Sequence, residues 1–344
     1  MWRLTSGFVL TLAWGHGLPT LDAADAPSWQ VQNVTIRSMA GNHANTVCVT
    51  ADGKYAVAVD EHGFMAAMDL RNPDQKPVVK KILFAQTVAP AADPAAVWAG
   101  GWDGRIYRVK VPTLEAIDMG PISRDHVERL SDHIERLAEL ENGFLLALTD
   151  DRQARVLRLG PKRPEVVMTI PDVWAWAATR PVGAELVYLE RNFESSGSSI
   201  LEPAALKIGK ASLGLDLGVR VPGGEVGRTV SASPDGTRWL VRVGHKDGEY
   251  RLRTDPAGKG DVLLPLRGRV ARSSAQAEVV FATADDGVYA YDVAAKNLSR
   301  VIEPKSFRGA PEGLAVTPDG KTCVVMYAEL SGCFAIIRRT GRPK

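Results

Sequence analysis

Thr317-Pro-Asp-Gly320 separates two apolar runs near the end of the chain, and close copies of this turn stand earlier, at Thr50-Ala-Asp-Gly53 and Ser233-Pro-Asp-Gly236. Each copy divides two segments that are rich in strand-favouring residues. Proline pre-sets one turn dihedral, aspartate caps the turn, and glycine takes a positive φ at little cost. The three turns therefore predict similar β-hairpins that recur along one chain.

The strand–turn–strand pattern recurs seven times when looser copies are included. A second group of turns, Trp102-Asp-Gly104, Lys246-Asp-Gly248 and Asp285-Asp-Gly287, is followed by alternating residues that suit outer strands. The paired runs begin about 40–50 residues apart, which is the repeat length of propeller blades. They cover 54–70, 95–111, 143–159, 184–208, 237–253, 277–293 and 321–339. The sequence thus predicts an all-β, seven-bladed β-propeller of four-stranded antiparallel blades.

Each blade is expected to hold strands A to D, with strand A nearest the central axis. The turns at Gly53, Gly236 and Gly320 would then join B to C, and those of the second group would join C to D. The A strands are predicted at 31–37, 78–84, 116–122, 166–170, 217–221, 262–266 and 299–303. Ring closure stays open: the last blade either supplies its own four strands or pairs with residues near Trp29.

Two blades depart from the common pattern. Val127, Leu130, Ile134 and Leu137 stand at helical spacing, which predicts a short amphipathic helix over 125–137, inserted in blade three. The competing interpretation keeps 134–140 as a plain B strand. In blade four the C-to-D connection at 192–199 is rich in serine and glycine, and is predicted to be a loop on one rim.

The first 26 residues have the features of a secretory signal. Arg3 is followed by a short apolar run over 8–14, and Ala24 and Ala26 place small residues before the predicted cleavage site. The apolar run is too short to span a bilayer. We therefore expect a signal peptide at 1–26, a propeller domain at 27–344, periplasmic or secreted localisation, and no transmembrane anchor after cleavage.

Charge and cysteine content further limit the functions that the chain can have. The chain has 42 basic and 40 acidic residues, a net charge of +2, so no charge-driven case for nucleic-acid binding exists. Export permits a disulfide. Cys323 and Cys333 flank the last hairpin turn and are the candidate pair; the alternative is that these two and Cys48 are buried free thiols.

The hairpins resemble those of WD-repeat and YVTN-type β-propellers of secreted bacterial proteins. Residues 99–107 resemble a WD-repeat hairpin, and Tyr291-Asp292 stands where that family ends a strand in Trp-Asp. The Gly-His pair that opens many WD repeats is absent, so its buried His–Asp network is not implied. Family geometry and turn chemistry together give a structural turn role to Asp52, Gly53, Asp103, Gly104, Asp235, Gly236, Asp286, Gly287, Asp319 and Gly320.

Candidates for catalysis or ligand binding are few. The chain has no metalloprotease, haem-attachment, phosphate-loop or nucleophile-elbow motif. His126 and His133 lie two helical turns apart, too far for one metal ion. Glu225 and Glu312 each precede a predicted B strand and are weak candidates for axial acids. For Trp174 and Trp176, packing between blades is favoured over an aromatic ligand pocket. We therefore predict no catalytic, cofactor-binding or metal-binding residue.

The leading interpretation is a non-catalytic, WD-repeat-like propeller that binds another protein through a rim. That rim would consist of the B-to-C turns, the D-to-A loops and the blade-three insertion. The binding role is implied by the resemblance, because such propellers commonly present rim loops to partners. Two alternatives stay open. One is a propeller hydrolase, lactonase or lyase with axial carboxylates and calcium; the other is the non-catalytic propeller subunit of a secreted dehydrogenase.

Overall fold

The computed structural model describes residues 28–340 except 37–38, 40–45, 123–132, 161–162, 181, 196–197, 209–212, 218–226, 234–236, 244–248, 255–259, 268–269, 274–277, 285–286, 304–309 and 329–331. Within these residues the regular structure is strand throughout, apart from a three-residue 3-10 turn at Glu141–Gly143. The all-β fold of four-stranded antiparallel sheets predicted from the sequence is confirmed.

The described strands form seven sheets, numbered here in chain order. Sheet 1 contains β2 (Thr46–Val49), β3 (Tyr55–Val59), β4 (Phe64–Asp69) and β5 (Val78–Lys81). Sheet 2 contains β6 (Ala85–Pro90), β7 (Ala96–Gly101), β8 (Arg105–Lys110) and β9 (Ala116–Pro121). Sheet 3 contains β10 (Ile134–Leu140), β11 (Phe144–Thr149), β12 (Ala154–Leu159) and β13 (Pro164–Ile170), with β15 (Val182–Ala184) parallel to β10.

The second half of the chain continues this order. Sheet 4 contains β14 (Val173–Ala178), β16 (Leu186–Ser195), β17 (Ser198–Ile208) and β18 (Leu213–Leu217). Sheet 5 contains β19 (Gly227–Ala232), β20 (Trp239–Val243), β21 (Glu249–Arg253) and β22 (Val262–Arg267). Sheet 6 contains β23 (Val270–Ser273), β24 (Val279–Ala284), β25 (Gly287–Asp292) and β26 (Asn297–Ile302). Sheet 7 contains β27 (Ala310–Val316), β28 (Thr322–Ala328), β29 (Gly332–Thr340) and β1 (Ser28–Ile36).

The paired runs recognised in the sequence are the middle strands of these sheets. Each pair is antiparallel: β3–β4, β7–β8, β11–β12, β16–β17, β20–β21, β24–β25 and β28–β29. The repeat was therefore recognised correctly, because each run combines two apolar strands with a tight turn.

The first strands of most neighbouring sheets contact one another, and in sheet 3 the short strand β15 lies beyond the first strand β10. β27 contacts β2, β2 contacts β6, β6 contacts β10, β14 contacts β19, β19 contacts β23, and β23 contacts β27. We call β2, β6, β10, β14, β19, β23 and β27 the inner strands. All residues of β6 but Pro90 are buried, whereas the outer strand β5 is mostly exposed.

The predicted A strands are therefore wrong in their order: each described one is an edge strand that pairs with the third strand of its sheet. The segment predicted at 78–84, for example, forms β5, the edge strand that pairs with β4. The other segments likewise form outer strands, except 218–221, which lie outside the described residues. A cyclic repeat does not mark its own beginning, so the period was recognised but its phase was shifted by one strand. The turns at Gly53 and Gly320 consequently join first to second strands, and the turn at Gly104 joins second to third.

The first and last strands of the chain pair with each other. β1 lies antiparallel to β29 in one register, from Ser28 opposite Thr340 to Ile36 opposite Gly332. Of the two arrangements of the last sheet left open by the sequence, the structure has the one in which residues around Trp29 pair with it. Trp29 also contacts Phe281 of sheet 6 edge-on, with ring centroids 5.4 Å apart.

The hydrophobic core lies between neighbouring sheets rather than within one sheet. Separate clusters of buried residues join sheets 7 and 1, 1 and 2, 2 and 3, 3 and 4, 5 and 6, and 6 and 7. Sheets 4 and 5 meet where Tyr188 packs edge-on against Trp239 at 5.2 Å. Each sheet therefore packs on both neighbours, with apolar burial as the main stabilising contribution.

The helix predicted over 125–137 is wrong in the part of this range that the structure describes. Residues 123–132 lie outside the described part of the chain, and Ile134–Leu140 is strand β10, as the competing interpretation had it. A β-bulge between Ile134 and Arg136 inserts Glu135. Ile134 and Leu137 therefore fall on one buried face although they are three residues apart, which imitates helical spacing.

The loop predicted at 192–199 is also wrong in its described part. β16 and β17 continue as a paired hairpin, from Asn192 opposite Leu201 to Ser195 opposite Ser198. The pairing of β14 ends at Arg191, and that of β18 begins at Ala204. Residues 192–195 and 198–201 therefore form a two-stranded ribbon beyond the described pairs of β14 and β18; we call it the ribbon of residues 192–201.

Candidate functional site

Sheets 1 to 4 and 7 each have two distinct ends, because the inner strand begins at one end of the sheet and finishes at the other. We call the end at which inner strands begin the top face, and the opposite end the bottom face. Contacts at both ends align the sheets: Ile134 at the start of β10 abuts Gly100 at the end of β7, and Glu139 near the end of β10 accepts a bond from Ala92 N just after β6. The turns after inner strands thus lie on the bottom face.

The bottom turns are held by the predicted aspartates and glycines. Thr50 Oγ1 donates to Asp52 Oδ1 at 2.8 Å, and Lys54 N donates to the same oxygen at 3.1 Å. Gly53 N donates to Thr50 O at 2.8 Å with a φ of 72°. The turn at 317–320 repeats this arrangement: Asp319 Oδ1 accepts from Thr317 Oγ1 at 2.6 Å, and Gly320 has a φ of 70°. Every polar group named here serves the turn itself.

The remaining predicted turn residues are only partly within the described chain. Asp103 Oδ1 accepts from Arg105 N at 3.2 Å, and Gly104 has a φ of 68°. A Cβ on Gly287 would lie 2.6 Å from Ile302 O, so this position requires glycine. Asp235, Gly236 and Asp286 lie outside the described residues.

Sequence reasoning missed one turn of the same chemistry. Thr149 Oγ1 donates to Asp151 Oδ1 at 2.6 Å, and Gln153 N donates to that oxygen at 3.2 Å. The residue in the left-handed conformation is Arg152, with a φ of 60°, where the other turns have glycine. The absence of glycine hid this turn, although the Thr-x-Asp spacing was present.

The top face carries an exposed apolar patch on sheet 2. Leu83 is 59%, Phe84 48% and Trp102 48% exposed. Trp102 N donates to Phe84 O at 2.9 Å, which joins the two segments. Phe84 has a φ of 67°, a strained conformation for an aromatic residue. We call these three residues the top patch; large contiguous patches of exposed apolar groups are one feature by which interaction surfaces are recognised.

The top patch extends onto sheet 3 through a ring stack. Trp102 lies parallel to His133, with ring centroids 4.2 Å apart and planes 12° from parallel. His133 directly precedes β10, and Asp150 N donates to its carbonyl at 3.0 Å. Burial lowers the pKa of His133 below its ordinary value, and nearby Asp150 opposes this effect. The stack therefore presents a neutral imidazole near pH 7.

Polar groups lie beside this stack at the starts of β6 and β10. The pKa of Glu135 is raised, chiefly by partial burial of its carboxyl and also by Asp150, while Arg136 and Arg152 act in the opposite direction. Gln86 is 1% exposed, and its Nε2 and Oε1 atoms have no hydrogen-bond partner in the described structure. Glu135 can accept bonds from a ligand, whereas the Gln86 amide is covered.

The other sequence candidates have different outcomes. Glu225 lies outside the described residues. Glu312 stands in the inner strand β27 at a β-bulge between Pro311 and Gly313, without a cross-strand partner. Trp176 is buried between sheets 3 and 4, in agreement with the packing interpretation. Trp174 stands at a bulge of β14.

No disulfide joins any two of the three cysteines in the described structure. Cys323 lies opposite Ile337, and Cys333 lies opposite Tyr327, so the two candidate partners are four residues apart in register. At the strand rise of about 3.3 Å per residue, this separation is too long for a disulfide. Burial raises the pKa of Cys48 and Cys323 thiols above the ordinary value, which keeps both protonated.

The predicted binding rim combines two opposite ends of the sheets. The turns at 50–53 and 317–320 lie on the bottom face, whereas His133, the described residue that directly precedes β10, lies on the top face. The shift of one strand in the predicted blade order caused this error. Leu83 and Phe84 were missed because they were assigned to an inner strand, and Trp102 was missed because it was assigned to packing.

Comparisons with known proteins add no assignment. No protein-family model matches the chain, and no curated protein matches it at a significant level. The described residues contain no group of three His, Cys, Asp or Glu side chains arranged to hold a metal ion. No helix in the described part of the chain has the length and apolar character needed to cross a bilayer.

Proposed function

We propose that this protein is an exported, closed seven-bladed β-propeller that binds another protein through its top face. It resembles WD-repeat and YVTN-type propellers in its hairpins, and its binding role is non-catalytic. The observation that carries the proposal is the top patch. Leu83, Phe84 and Trp102 are exposed there, whereas most apolar residues of sheet 2 are buried.

Two features support the closed ring. The pairing of β1 with β29 unites the two ends of the chain in sheet 7. The inner strand of that sheet contacts β2 of sheet 1 and β23 of sheet 6. A ring of this kind leaves every sheet packed on two neighbours, which four-stranded blades need because each cannot bury its faces alone.

The contrast between the faces supports binding at the top. At the bottom face, Asp52 and Asp319 form tight turns whose polar groups are satisfied internally. The top face has the exposed patch, the Trp102–His133 stack and the ribbon of residues 192–201. Tryptophan and flanking apolar residues surrounded by charged groups are the usual centre of a protein interface.

Export is proposed from the leader sequence alone. Arg3, the apolar run over 8–14 and the small residues Ala24 and Ala26 precede β1, which begins at Ser28. Cleavage at the predicted position would leave the first strand intact. The mature protein would then be periplasmic or secreted, with a protein partner in the same compartment.

Site-specific photocrosslinking in the host tests the binding face. Benzoylphenylalanine replaces Trp102, and in a control strain it replaces Ile117, which is similarly exposed at 45% but lies on the outer strand β9. We expect one crosslinked product of defined mass at position 102, reduced by Phe84→Ala, and none at position 117. Equal products at both positions, or no product at position 102, would contradict the proposal.

A further inference from the structure

The strand β1 forms the edge of sheet 7 and differs from the other outer strands. Each sheet ends, on the side away from its inner strand, at an outer strand whose second edge pairs with no other strand of the described chain. β1 spans Ser28–Ile36, nine residues in one uninterrupted register with β29. It contains no charged residue, no proline and no glycine. Long, regular and uncharged edges are the ones to which a further strand can add.

The other six outer strands carry features that hinder such pairing. Each contains at least one charged residue: Lys80 in β5, Asp118 in β9, Glu165 in β13, Asp216 in β18, Arg267 in β22 and Arg300 in β26. The pairing of β9, β13, β22 and β26 with their sheets is also irregular. β5 and β18 are regular but have only four and five residues. Charge, bulges and short length protect an edge, and β1 has none of these protections.

The register shows which backbone groups of β1 point to its open edge. Arg339 N donates at 2.8 Å to the carbonyl of Lys321, which directly precedes β28. Trp29 lies opposite Arg339, so this pair exchanges no hydrogen bond between β1 and β29. The N–H and C=O groups of Trp29 therefore point to the open edge. Because these directions alternate along an antiparallel ladder, the same holds for the other odd-numbered residues of the strand. These residues are Val31, Asn33 and Thr35.

The outward backbone groups are symmetric about Gln32. In an antiparallel pair of two β1 strands, placing Gln32 opposite itself sets Val31 opposite Asn33 and Trp29 opposite Thr35. This register pairs all four outward residues, and each opposed pair exchanges two hydrogen bonds. The edge is therefore complementary to a second copy of itself.

The absence of charge also favours a second copy as the occupant of this edge. In a two-fold pair each strand meets its own sequence, so a charged residue near the centre lies close to a like charge, which opposes pairing. Lys80 and Lys81 would have this effect in β5, whereas β1 has only uncharged side chains. A strand of another protein would find no charge on β1 that could select it. Val31 is 37% exposed and Asn33 is also exposed, so the edge is accessible.

We infer that two copies of this protein associate through their β1 strands, which pair antiparallel with Gln32 on the two-fold axis. The two copies of sheet 7 then form one continuous sheet. The inference rests on the pairing of β1 with β29. It depends neither on the top patch nor on export or ring closure.

Analytical ultracentrifugation of charge-exchanged variants tests the inference. A single strand pair is a small interface, so wild type should dimerise at high concentration and dissociate on dilution. Val31→Lys/Asn33→Lys and Val31→Glu/Asn33→Glu each set like charges opposite each other, and each should weaken self-association at least about tenfold. An equimolar mixture of the two should restore the dimer, which also shows that both are folded. Ile117→Lys, on the protected outer strand β9, should leave self-association unchanged.

A cysteine at the centre of β1 tests the register. Residues in a non-hydrogen-bonded pair have Cα atoms about 4.5 Å apart, which a disulfide can span. Under mild oxidation Gln32→Cys should therefore form a disulfide between two copies. Gln30→Cys should not, because position 30 lies opposite Val34 of the other copy.

Several results would overturn the inference. One is a wild type that stays monomeric at every concentration, and another is a dimer that neither double variant weakens. A dimer that Gln32→Cys does not crosslink would also overturn it, as would a β1 edge that binds a different protein without self-association. Crosslinking at position 102 tests the partner-binding proposal independently.

Discussion

Glu139 links sheets 2 and 3 with a single carboxylate. It lies in β10 and is 9% exposed. Its Oε2 atom accepts from Trp98 Nε1 at 2.6 Å and from Ala92 N at 2.9 Å, both in sheet 2 or just beyond its inner strand. A buried acceptor with two donors stabilises the contact between sheets because removing it would leave both donors unpaired.

We expect Glu139→Ala to lower the free energy of unfolding by about 2–3 kcal/mol. The control is Glu115→Ala, which removes an exposed carboxylate 3.4 Å from Lys110 Nζ and should cost at most about 0.5 kcal/mol. Urea unfolding of both variants measures the difference. Equal effects would show that the buried bonds contribute nothing specific.

Gly320 stands in a left-handed conformation, with a φ of 70°. Gly320→Ala should therefore lower the free energy of unfolding by about 1–2 kcal/mol, the cost of a Cβ in this conformation. Gly214, in the strand β18, has an open surrounding, with its nearest neighbour, Lys207 O, 4.0 Å from a Cβ. Gly214→Ala should be neutral or slightly stabilising, since it reduces unfolded-state entropy. Thermal unfolding compares the two, and a neutral Gly320→Ala would refute the turn geometry.

The Trp102–His133 stack should give a pH-dependent stability. The pKa of His133 is lower in the folded than in the unfolded state, whose ordinary value is 6.5. As the pH falls below about 6.5, the unfolded state takes up the proton first, so stability decreases until the folded pKa is passed. His133→Gln should remove this part of the pH dependence between those two pKa values.

NMR titration of the histidine ring protons measures the shift directly, with His133→Gln assigning the signal. Trp102→Ala should raise the pKa of His133 towards 6.5, because the removed indole readmits water to the imidazole. Ile117→Ala, an equally exposed site on β9, should leave it unchanged. A His133 that titrates at or above 6.5 in the wild-type protein would contradict the buried stack.

At the scale of elements, the sequence predicted the strand–turn–strand units well and the order of the strands within each sheet poorly. The turns at 50–53 and 317–320 were recognisable because their chemistry is local. Whether β5 is an inner or an outer strand depends on which neighbours cover it, and that is not a local property. Predicting the bulge at Glu135 similarly requires knowledge of the partner strand. The top patch was missed for the same reason, since exposure of Phe84 follows from the strand order.

The ribbon of residues 192–201 should be dispensable for folding. Within the described part of the chain its strands pair with each other, beyond the last described pairs of β14 and β18. Replacing 192–201 by Asn-Gly, a turn that suits a two-residue hairpin, should leave the melting temperature within about 2 °C of wild type. Calorimetry checks this, with removal of β1 as the destabilising control. A variant that unfolds at room temperature would mean that the ribbon supports the sheet.

At the scale of the whole molecule, the proposed ring depends on contacts between residues far apart in sequence. β1 pairs with β29, and Gln32 Nε2 of β1 donates to Asp74 Oδ1 of sheet 1 at 2.7 Å. The first strand of the chain therefore completes sheet 7, and apolar clusters join that sheet to sheets 1 and 6. The proposed ring would place the inner strands around one axis.

The most direct test of this closure is a disulfide between the first and last strands. Thr35 lies opposite Cys333, with Thr35 Oγ1 and Cys333 Sγ 3.8 Å apart. In Thr35→Cys we expect the new thiol to bond to Cys333 under mild oxidation, as identified by peptide mass spectrometry. Gln30→Cys, opposite Arg338 on the same strand, should stay reduced. If Cys333 remains free in Thr35→Cys, the first strand does not close the ring and the account is wrong.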